Sequence, residues 1–362
     1  MSDFAFAPNP NCVTPDARAA LLADPGFGRV FTDHMAMIRY ADGKGWHDAK
    51  VVARGPIPMD PATAVLHYAQ EIFEGMKAYR HPDGATALFR PFANAARFNR
   101  SATRLAMPEL PEEMFVGSVE ALLRADADWM PSIDGASIYL RPFMFASEVF
   151  LGVKPSAEYL YLVIASPSGN YWKGGARAIS IWVSDQYTRA APGGTGAAKC
   201  GGNYAASLPA MAEATAHGCD QVVFLDAVER RYVEELGGMN VFFAFDDGSI
   251  ATPALSGTIL EGITRDSLMM LARDEGLTVR EEPYAIDQWR ADAASGHLRE
   301  AFACGTAAVV TSIGEVRSAN GNFTIGAGGP GQLTERLKDR LVAIQRGTQA
   351  DPHGWVHRIG PN

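Results

Sequence analysis

Apolar residues return at the helical period in PEEMFVGSVEALLRADADWM, where Phe115, Val119, Leu122 and Leu123 share one face; the spacing predicts an amphipathic helix. Upstream, ALFRPFANAARFNRSATRLAM passes from a strand at 87–89 into a helix beginning near Ala93. PATAVLHYAQEIFEG is mostly apolar without a deciding period, so helix and buried strand both stay open, and residues 1–60 read as irregular structure with short strands. SIYLRPFMFAS, EYLYLVIAS, AISIWV, QVVFLD, MNVFFAF and AAVVTSI have the composition of strands, whereas NYAASLPAMAEATAHG, ITRDSLMMLARDEG and GQLTERLKDRLVAIQ read as helices. The strands come in groups rather than in regular βαβ alternation, which favours a mixed α/β or α+β class over a doubly wound sheet.

A chain of 362 residues exceeds one typical domain. The Pro-, Gly-, Ser- and Asn-containing stretch 167–175 is the best candidate linker, dividing an N-terminal domain (1–166) from a C-terminal one (176–362). Apolar residues make up 47% and charged residues 20%, as in soluble globular proteins. The net charge of −9, with no basic run, argues against nucleic-acid binding. No stretch approaches the roughly 20 apolar residues that span a bilayer, and the N-terminus has no secretory pattern. The cysteines Cys12, Cys200, Cys219 and Cys304 are scattered with no CxxC pair, which argues against a zinc site or a disulfide framework and for a cytoplasmic, reduced protein.

Several motif matches carry little. GAGGPG, Gly326 to Gly331, fits GxGxxG but leaves no room for the second strand of a βαβ unit. GGTGAAKC resembles a phosphate-binding loop yet lacks Gly-Lys-Ser/Thr, and Ser168 forms no GxSxG elbow.

GGTGAAKCGGNYAAS is different, because it sets one cation, Lys199, in a run of small residues with no acidic neighbour. A lysine whose pKa is lowered by burial or nearby cations forms Schiff bases, and small neighbours leave room for a planar partner. Tyr204, near a helix start, could hydrogen-bond an oxygen on that partner. Glu235, before a Gly-Gly turn, could pair with a protonated ring nitrogen. Gly262-Ile263-Thr264 opens a helix as a phosphate cradle, Gly305-Thr306 adds a second Gly-Thr pair, and Arg97 could add charge. These are the parts a pyridoxal phosphate site needs. Taken singly, each has a plainer reading: Tyr204 as a core aromatic, Glu235 as a solvated turn residue, Arg97 in a surface salt bridge, Thr264 in ordinary capping.

Together, FEGMKAYR (73–80), LFRPFANAARFNRSATRLAMP (88–108), YLRPFMFASE (139–148), GGTGAAKCGGNYAASL (193–208), EELGGMNVFF (234–243), TILEGITRDSL (258–268) and GTAAVV (305–310) resemble the branched-chain-amino-acid aminotransferases of fold-type-IV (class IV) pyridoxal-phosphate enzymes. The resemblance implies a two-domain fold like that of D-amino-acid aminotransferase, with the active site between a small N-terminal and a larger C-terminal domain, in a homodimer. It implies that Lys199 binds pyridoxal 5'-phosphate and moves the proton, that Tyr204 meets the cofactor's phenolic oxygen, and that Glu235 meets its ring nitrogen. Arg97, Ile263, Thr264 and Thr306 match phosphate contacts. Tyr68, Phe73, Tyr139, Val153 and Tyr171 match the substrate walls, Arg141 a polar residue beside them, and Gly238 and Ala307 backbone near the substrate carboxylate. Two positions depart from mammalian relatives: Ala308 and Thr311 stand where those carry a CxxC pair, and Gly238 stands where they have Thr. The implied reaction is transamination between leucine, isoleucine or valine and 2-oxoglutarate. The alternatives are a D-amino-acid aminotransferase, an aminodeoxychorismate lyase or a non-catalytic homologue.

Overall fold

A computed structural model describes residues 4–133, 135–169 and 177–360. The chain divides into two compact units: one comprises residues 1–171, 198–201 and 343–362, the other residues 172–197 and 202–342.

The first unit begins with strand β1 (Ala5–Phe6), helix α1 (Pro15–Ala23) and the strands β2 (His34–Ala41) and β3 (Gly45–Ala53). The first 60 residues are therefore more regular than the sequence predicts; the alternation in β2 and β3 is blurred because their burial is uneven along both strands. The ambiguous apolar stretch resolves into both options, a single-turn helix α2 (Val65–Tyr68) and a strand β4 (Glu71–Phe73), separated where Ala69 adopts a positive φ of 48°. Strands β5 (Met76–Arg80) and β6 (Thr86–Phe89) follow, then helix α3 (Pro91–Arg104). It starts two residues earlier than the expected Ala93 because Pro91 occupies the first turn, where its missing N–H costs nothing. Helix α4 (Glu112–Ala125) leads to strands β7 (Ser137–Ala146) and β8 (Glu158–Ser168). Pro167 and Ser168 end β8, paired with Ile138 and Ser137, so these two residues are strand and not linker. Residues 170–175 of the expected linker lie outside the described residues. The sheet runs β1-β3-β2-β8-β7-β5-β6 and closes on the C-terminal strand Val356–Ile359, with β4 added on β7. Helices α3 and α4 cover one face: Phe98, Phe115, Val119 and Leu122 are each at most 1% exposed and pack with Tyr161 of β8. The expected apolar face of α4, Phe115, Val119, Leu122 and Leu123, is the buried face.

The opposite side chains of β5 carry a buried cation. Lys77 stands across from Tyr139 of β7 and is 9% exposed. Burial and the Arg346 guanidinium push its ammonium down to about 8, against an ordinary 10.5. Below that value the folded state bears the full cost of the buried charge. Between about 8 and 10.5 the unfolded chain binds the extra proton, so this group's contribution makes stability rise with pH. Urea unfolding of wild type and Lys77→Met across this range is expected to show the stability difference moving in wild type's favour by at least about 1 kcal/mol; a difference flat in pH would refute it.

The second unit holds β9 (Ile179–Ser184), most of α5 (Gly201–Ala216), β10 (Gln221–Leu225), β11 (Val233–Leu236), β12 (Asn240–Phe245), β13 (Ser249–Thr252), α6 (Ile263–Asp274), β14 (Thr278–Glu281), α7 (Ile286–Ser295), β15 (Leu298–Gly305), β16 (Val309–Arg317), β17 (Phe323–Thr324) and most of α8 (Gln332–Gln345). Its sheet order is β11-β10-β9-β16-β15-β12-β13-β14, with β17 on β16. β9 is parallel to β10 and β16, and β13 to β14; the other pairs are antiparallel. This is the mixed class the grouped strands predict. The helix α7 and the strand β15 were not expected, because polar residues break the pattern in both, although both pack on the core through Trp289, Ala301 and Ala303. GAGGPG is a turn into α8. The Glu300 carboxylate accepts N–H bonds from Leu333 and Thr334 at 2.9 and 2.8 Å, so the chain's own anion takes that helix start.

Candidate active site

In the first unit, residues 198–201 are held like a strap. Ala198 and Cys200 are 2% and 3% exposed and join the core, so Lys199 between them is turned the other way. Its N–H donates to Ser101 Oγ at 3.0 Å, and its carbonyl accepts from the Phe73 N–H at 2.9 Å. Ser101 in turn donates to the Arg97 carbonyl at 3.1 Å. The Gly201 N–H donates to the Glu71 carboxylate, and a Cβ at Gly201 would collide with that carboxylate, which explains the glycine after the cysteine. Lys199 is thus neither loose on a surface loop nor deeply buried: it is half-buried, with Nζ 4.8 Å from the Phe73 ring centroid.

Arg97 is not the surface residue that its position on a helix would make ordinary. It is 4% exposed and forms a two-pronged ion pair with Glu74, Nε to Oε1 at 2.7 Å and Nη2 to Oε2 at 2.8 Å. Glu74 is fully buried and also accepts from Asn94 Nδ2 at 2.7 Å. Burial alone would push the Glu74 carboxyl up; Arg97, the charge of Lys199 and Asn94 outweigh it and hold it below the usual range.

Arg141 lies over Phe73, the ring that faces Lys199, and Tyr139 joins it there. The Arg141 guanidinium lies 4.7 Å over Phe73 and 5.4 Å over Tyr139, and its Nη2 donates to the Tyr139 hydroxyl at 3.2 Å. The Tyr139 hydroxyl sits so close to Gly75 that a Cβ there would overlap it, a reason for glycine in FEG. Tyr68 is 39% exposed, its hydroxyl donating to the Leu151 carbonyl, and Val153 is 90% exposed. Tyr171 lies outside the described residues.

In the second unit, Glu235 is 2% exposed on β11, so it is a buried acid and not a solvated turn residue. Arg189 Nη1 pairs with its Oε1 at 2.7 Å, the Leu260 N–H donates to the same oxygen at 3.1 Å, and Asn240 Nδ2 reaches Oε2 at 3.4 Å. Arg189, 6% exposed, also donates to the Thr258 carbonyl at 2.7 Å and to the Gly196 carbonyl at 3.3 Å. A Cβ at Gly196 would overlap the Thr258 backbone, so the glycine permits this close approach. Arg189 was invisible to sequence reasoning; the one hint is its place just before the GGTG turn. The neighbouring Glu234 accepts from the Thr258 hydroxyl, and burial raises its carboxyl above the usual range.

Tyr204 is half-buried on α5, its Cε1 3.7 Å from where a Cβ on Gly238 would stand. Ile263 opens α6 with Gly262 as N-cap and no side-chain cap, so the first-turn N–H groups at Ile263 and Thr264 are not taken by a capping side chain. Thr306 and Ala307 occupy the half-buried turn between β15 and β16. The second unit thus carries Glu235, Tyr204, the α6 N-terminus and Thr306, and the first carries Lys199, Arg97, Phe73, Tyr139 and Arg141. Each unit by itself offers chemistry that pyridoxal phosphate can use: the first a primary amine against an aromatic ring, the second a buried carboxylate and an uncapped helix N-terminus. Among the described residues no group of His, Cys, Asp or Glu is gathered to hold a metal ion, and no helix is long and apolar enough to cross a membrane.

Residues 71–316 match the amino-transferase class IV family, and the chain belongs to it as an enzyme of that family. Its relatives narrow the class. It is 56% identical to the probable branched-chain-amino-acid aminotransferase of Streptomyces coelicolor, over 97% of each chain. It is also 56% identical to the branched-chain-amino-acid aminotransferase of Mycolicibacterium smegmatis, over 99% of this chain and 98% of the relative. Among solved structures, the Escherichia coli branched-chain amino acid aminotransferase superposes with a TM-score of 0.74 at 28% identity, covering 90% of this chain and all of the other. A T.th. branched-chain amino acid aminotransferase with pyridoxamine 5'-phosphate gives 0.74 at 29%, over 90% of this chain and 99% of the other.

Proposed function

We propose that this protein is a branched-chain-amino-acid aminotransferase. It passes the amino group of L-leucine, L-isoleucine or L-valine to 2-oxoglutarate, giving the branched 2-oxo acid and L-glutamate, with pyridoxal 5'-phosphate as cofactor. The observation that carries the reading is Lys199, fixed through its backbone against Phe73 in a chain 56% identical over nearly its full length to enzymes of that name.

Pyridoxal phosphate, when bound, supplies an electron sink for negative charge at the substrate α-carbon. The residues do the rest. The Lys199 amine holds the cofactor and takes and returns the α-proton. Glu235, kept in place by Arg189, pairs with the protonated ring nitrogen, and Tyr204 meets the phenolic oxygen. The N–H groups at Ile263 and Thr264, with Thr306 and Arg97, hold the phosphate. Phe73 and Tyr139 give the aliphatic side chain an apolar wall, Ala307 lies at the substrate carboxylate, and Arg141 serves the distal carboxylate of 2-oxoglutarate.

We also propose that two copies assemble in the cytoplasm. Leu66, Val149, Leu151 and Val153 are 57%, 56%, 65% and 90% exposed, an apolar group that a second copy would cover. Val153 and Tyr68 then become walls of a pocket rather than surface.

The test is a half-reaction on purified holoenzyme. L-Leucine is expected to convert the absorbance of bound pyridoxal phosphate to that of the pyridoxamine form, and D-alanine is not. Conversion by D-alanine alone would move the protein to the D-amino-acid branch. Conversion by neither would favour a lyase or a non-catalytic homologue.

A further inference from the structure

We propose that Glu74 is a positioning residue for Lys199: it bolts helix α3 to the end of β4, the two elements whose polar groups hold the lysine's backbone. The inference rests on the reading of Lys199 as the reactive amine.

Helix α3 turns a polar stripe inward where an amphipathic helix ordinarily turns an apolar one. Asn94, Arg97 and Ser101 are 3%, 4% and 1% exposed, and their helical spacing sets them one above another on the same face. Buried polar groups need partners. Asn94 Nδ2 donates to Glu74 Oε2 at 2.7 Å and reaches the Gly75 carbonyl at 3.4 Å. Arg97 grips the same carboxylate with Nε and Nη2, at 2.7 and 2.8 Å. Ser101 Oγ donates to the Arg97 carbonyl at 3.1 Å and accepts the Lys199 N–H at 3.0 Å.

Glu74 meets this stripe from the strand side. It follows Phe73, whose N–H donates to the Lys199 carbonyl at 2.9 Å. Its own N–H donates to the Pro142 carbonyl of β7 at 2.7 Å, and its Oε2 accepts the Gly75 N–H at 3.1 Å. The Lys199 backbone is thus held at its N–H by α3 and at its carbonyl by the end of β4, and Glu74 ties one holder to the other. At 0% exposure no bulk water can replace that tie. A two-pronged, charge-assisted pair fixes direction as well as distance. A reactive amine needs both, because a misplacement of about 1 Å costs on the order of 100-fold in rate.

Hydrogen exchange reads the two bonds on the Lys199 backbone directly, whatever the substrate. Full-length wild type and Glu74→Gln would be compared with and without added pyridoxal phosphate, at single-amide resolution by mass spectrometry. Glutamine keeps an acceptor for Asn94 but not the charged, two-pronged grip on Arg97. The amides of Lys199 and Phe73 are expected to exchange at least about tenfold faster in the variant, while those of the paired strands β2 and β8 stay within about threefold. The half-reaction with leucine is expected to slow at least about tenfold, with a larger isotope effect from deuterium at the α-carbon, because proton transfer becomes the slow step. A role in stability alone would speed exchange across the whole sheet and leave the isotope effect unchanged; that result overturns the inference. So does unchanged exchange at Lys199 and Phe73, or a selective rise with an undisturbed half-reaction. Should Glu74→Gln fail to fold because Arg97 is left charged and buried, the double variant Glu74→Gln/Arg97→Gln removes both charges, and the same exchange comparison decides. Wild-type enzyme that fails to turn over leucine would overturn the function, and exchange would still decide whether Glu74 holds Lys199.

Discussion

Lys199→Ala is expected to abolish leucine-dependent formation of glutamate, by on the order of 10^4-fold or more, because in the proposed mechanism one amine both holds the cofactor and moves the α-proton. The fold should be unaffected. Lys199 is half-buried, and the contacts that fix its segment come from its backbone N–H and carbonyl, which alanine keeps. Single-turnover absorbance with leucine checks the first part and the urea midpoint the second. Near-normal turnover in the alanine variant would refute the assigned role.

Glu235→Ala is expected to damage both stability and activity. It leaves the Arg189 guanidinium, with 4% side-chain exposure, facing the carbonyls of Thr258 and Gly196 without its carboxylate. Removing one partner of a buried pair costs about 3–5 kcal/mol, read here as a lower urea midpoint for the unit that holds β11. Glu235→Gln keeps an acceptor for the Leu260 N–H at lower cost in stability, but gives no charge to a pyridinium nitrogen. Its kcat is expected to fall at least about 10^2-fold. Glutamine that preserved kcat while alanine destroyed it would make Glu235 a structural partner of Arg189 and not a cofactor ligand.

Much of the local structure was legible. The helical period of Phe115, Val119, Leu122 and Leu123 marks the buried face of α4, and the β-branched and aromatic runs became β8, β9, β10 and β12. The boundaries and the polar elements were not. Pro91 moved the start of α3, and β15 carries Arg299 and Glu300 beside core residues, so no period shows.

The candidate site divides in the same way. Lys199, Tyr204, Glu235 and the Gly262-Ile263-Thr264 helix start stand out because each chemical group sits beside a glycine-rich turn or at an element boundary, and the sequence by itself determined which groups are available. What holds them was decided by tertiary structure. Arg189 meets Glu235, Glu74 meets Arg97, and Glu71 meets Gly201. Each pairing joins residues far apart in the chain. Periodicity reports which face of an element is buried, but not which strand will lie beside it. Strand order and register choose those neighbours, and burial then makes each ion pair strong enough to matter.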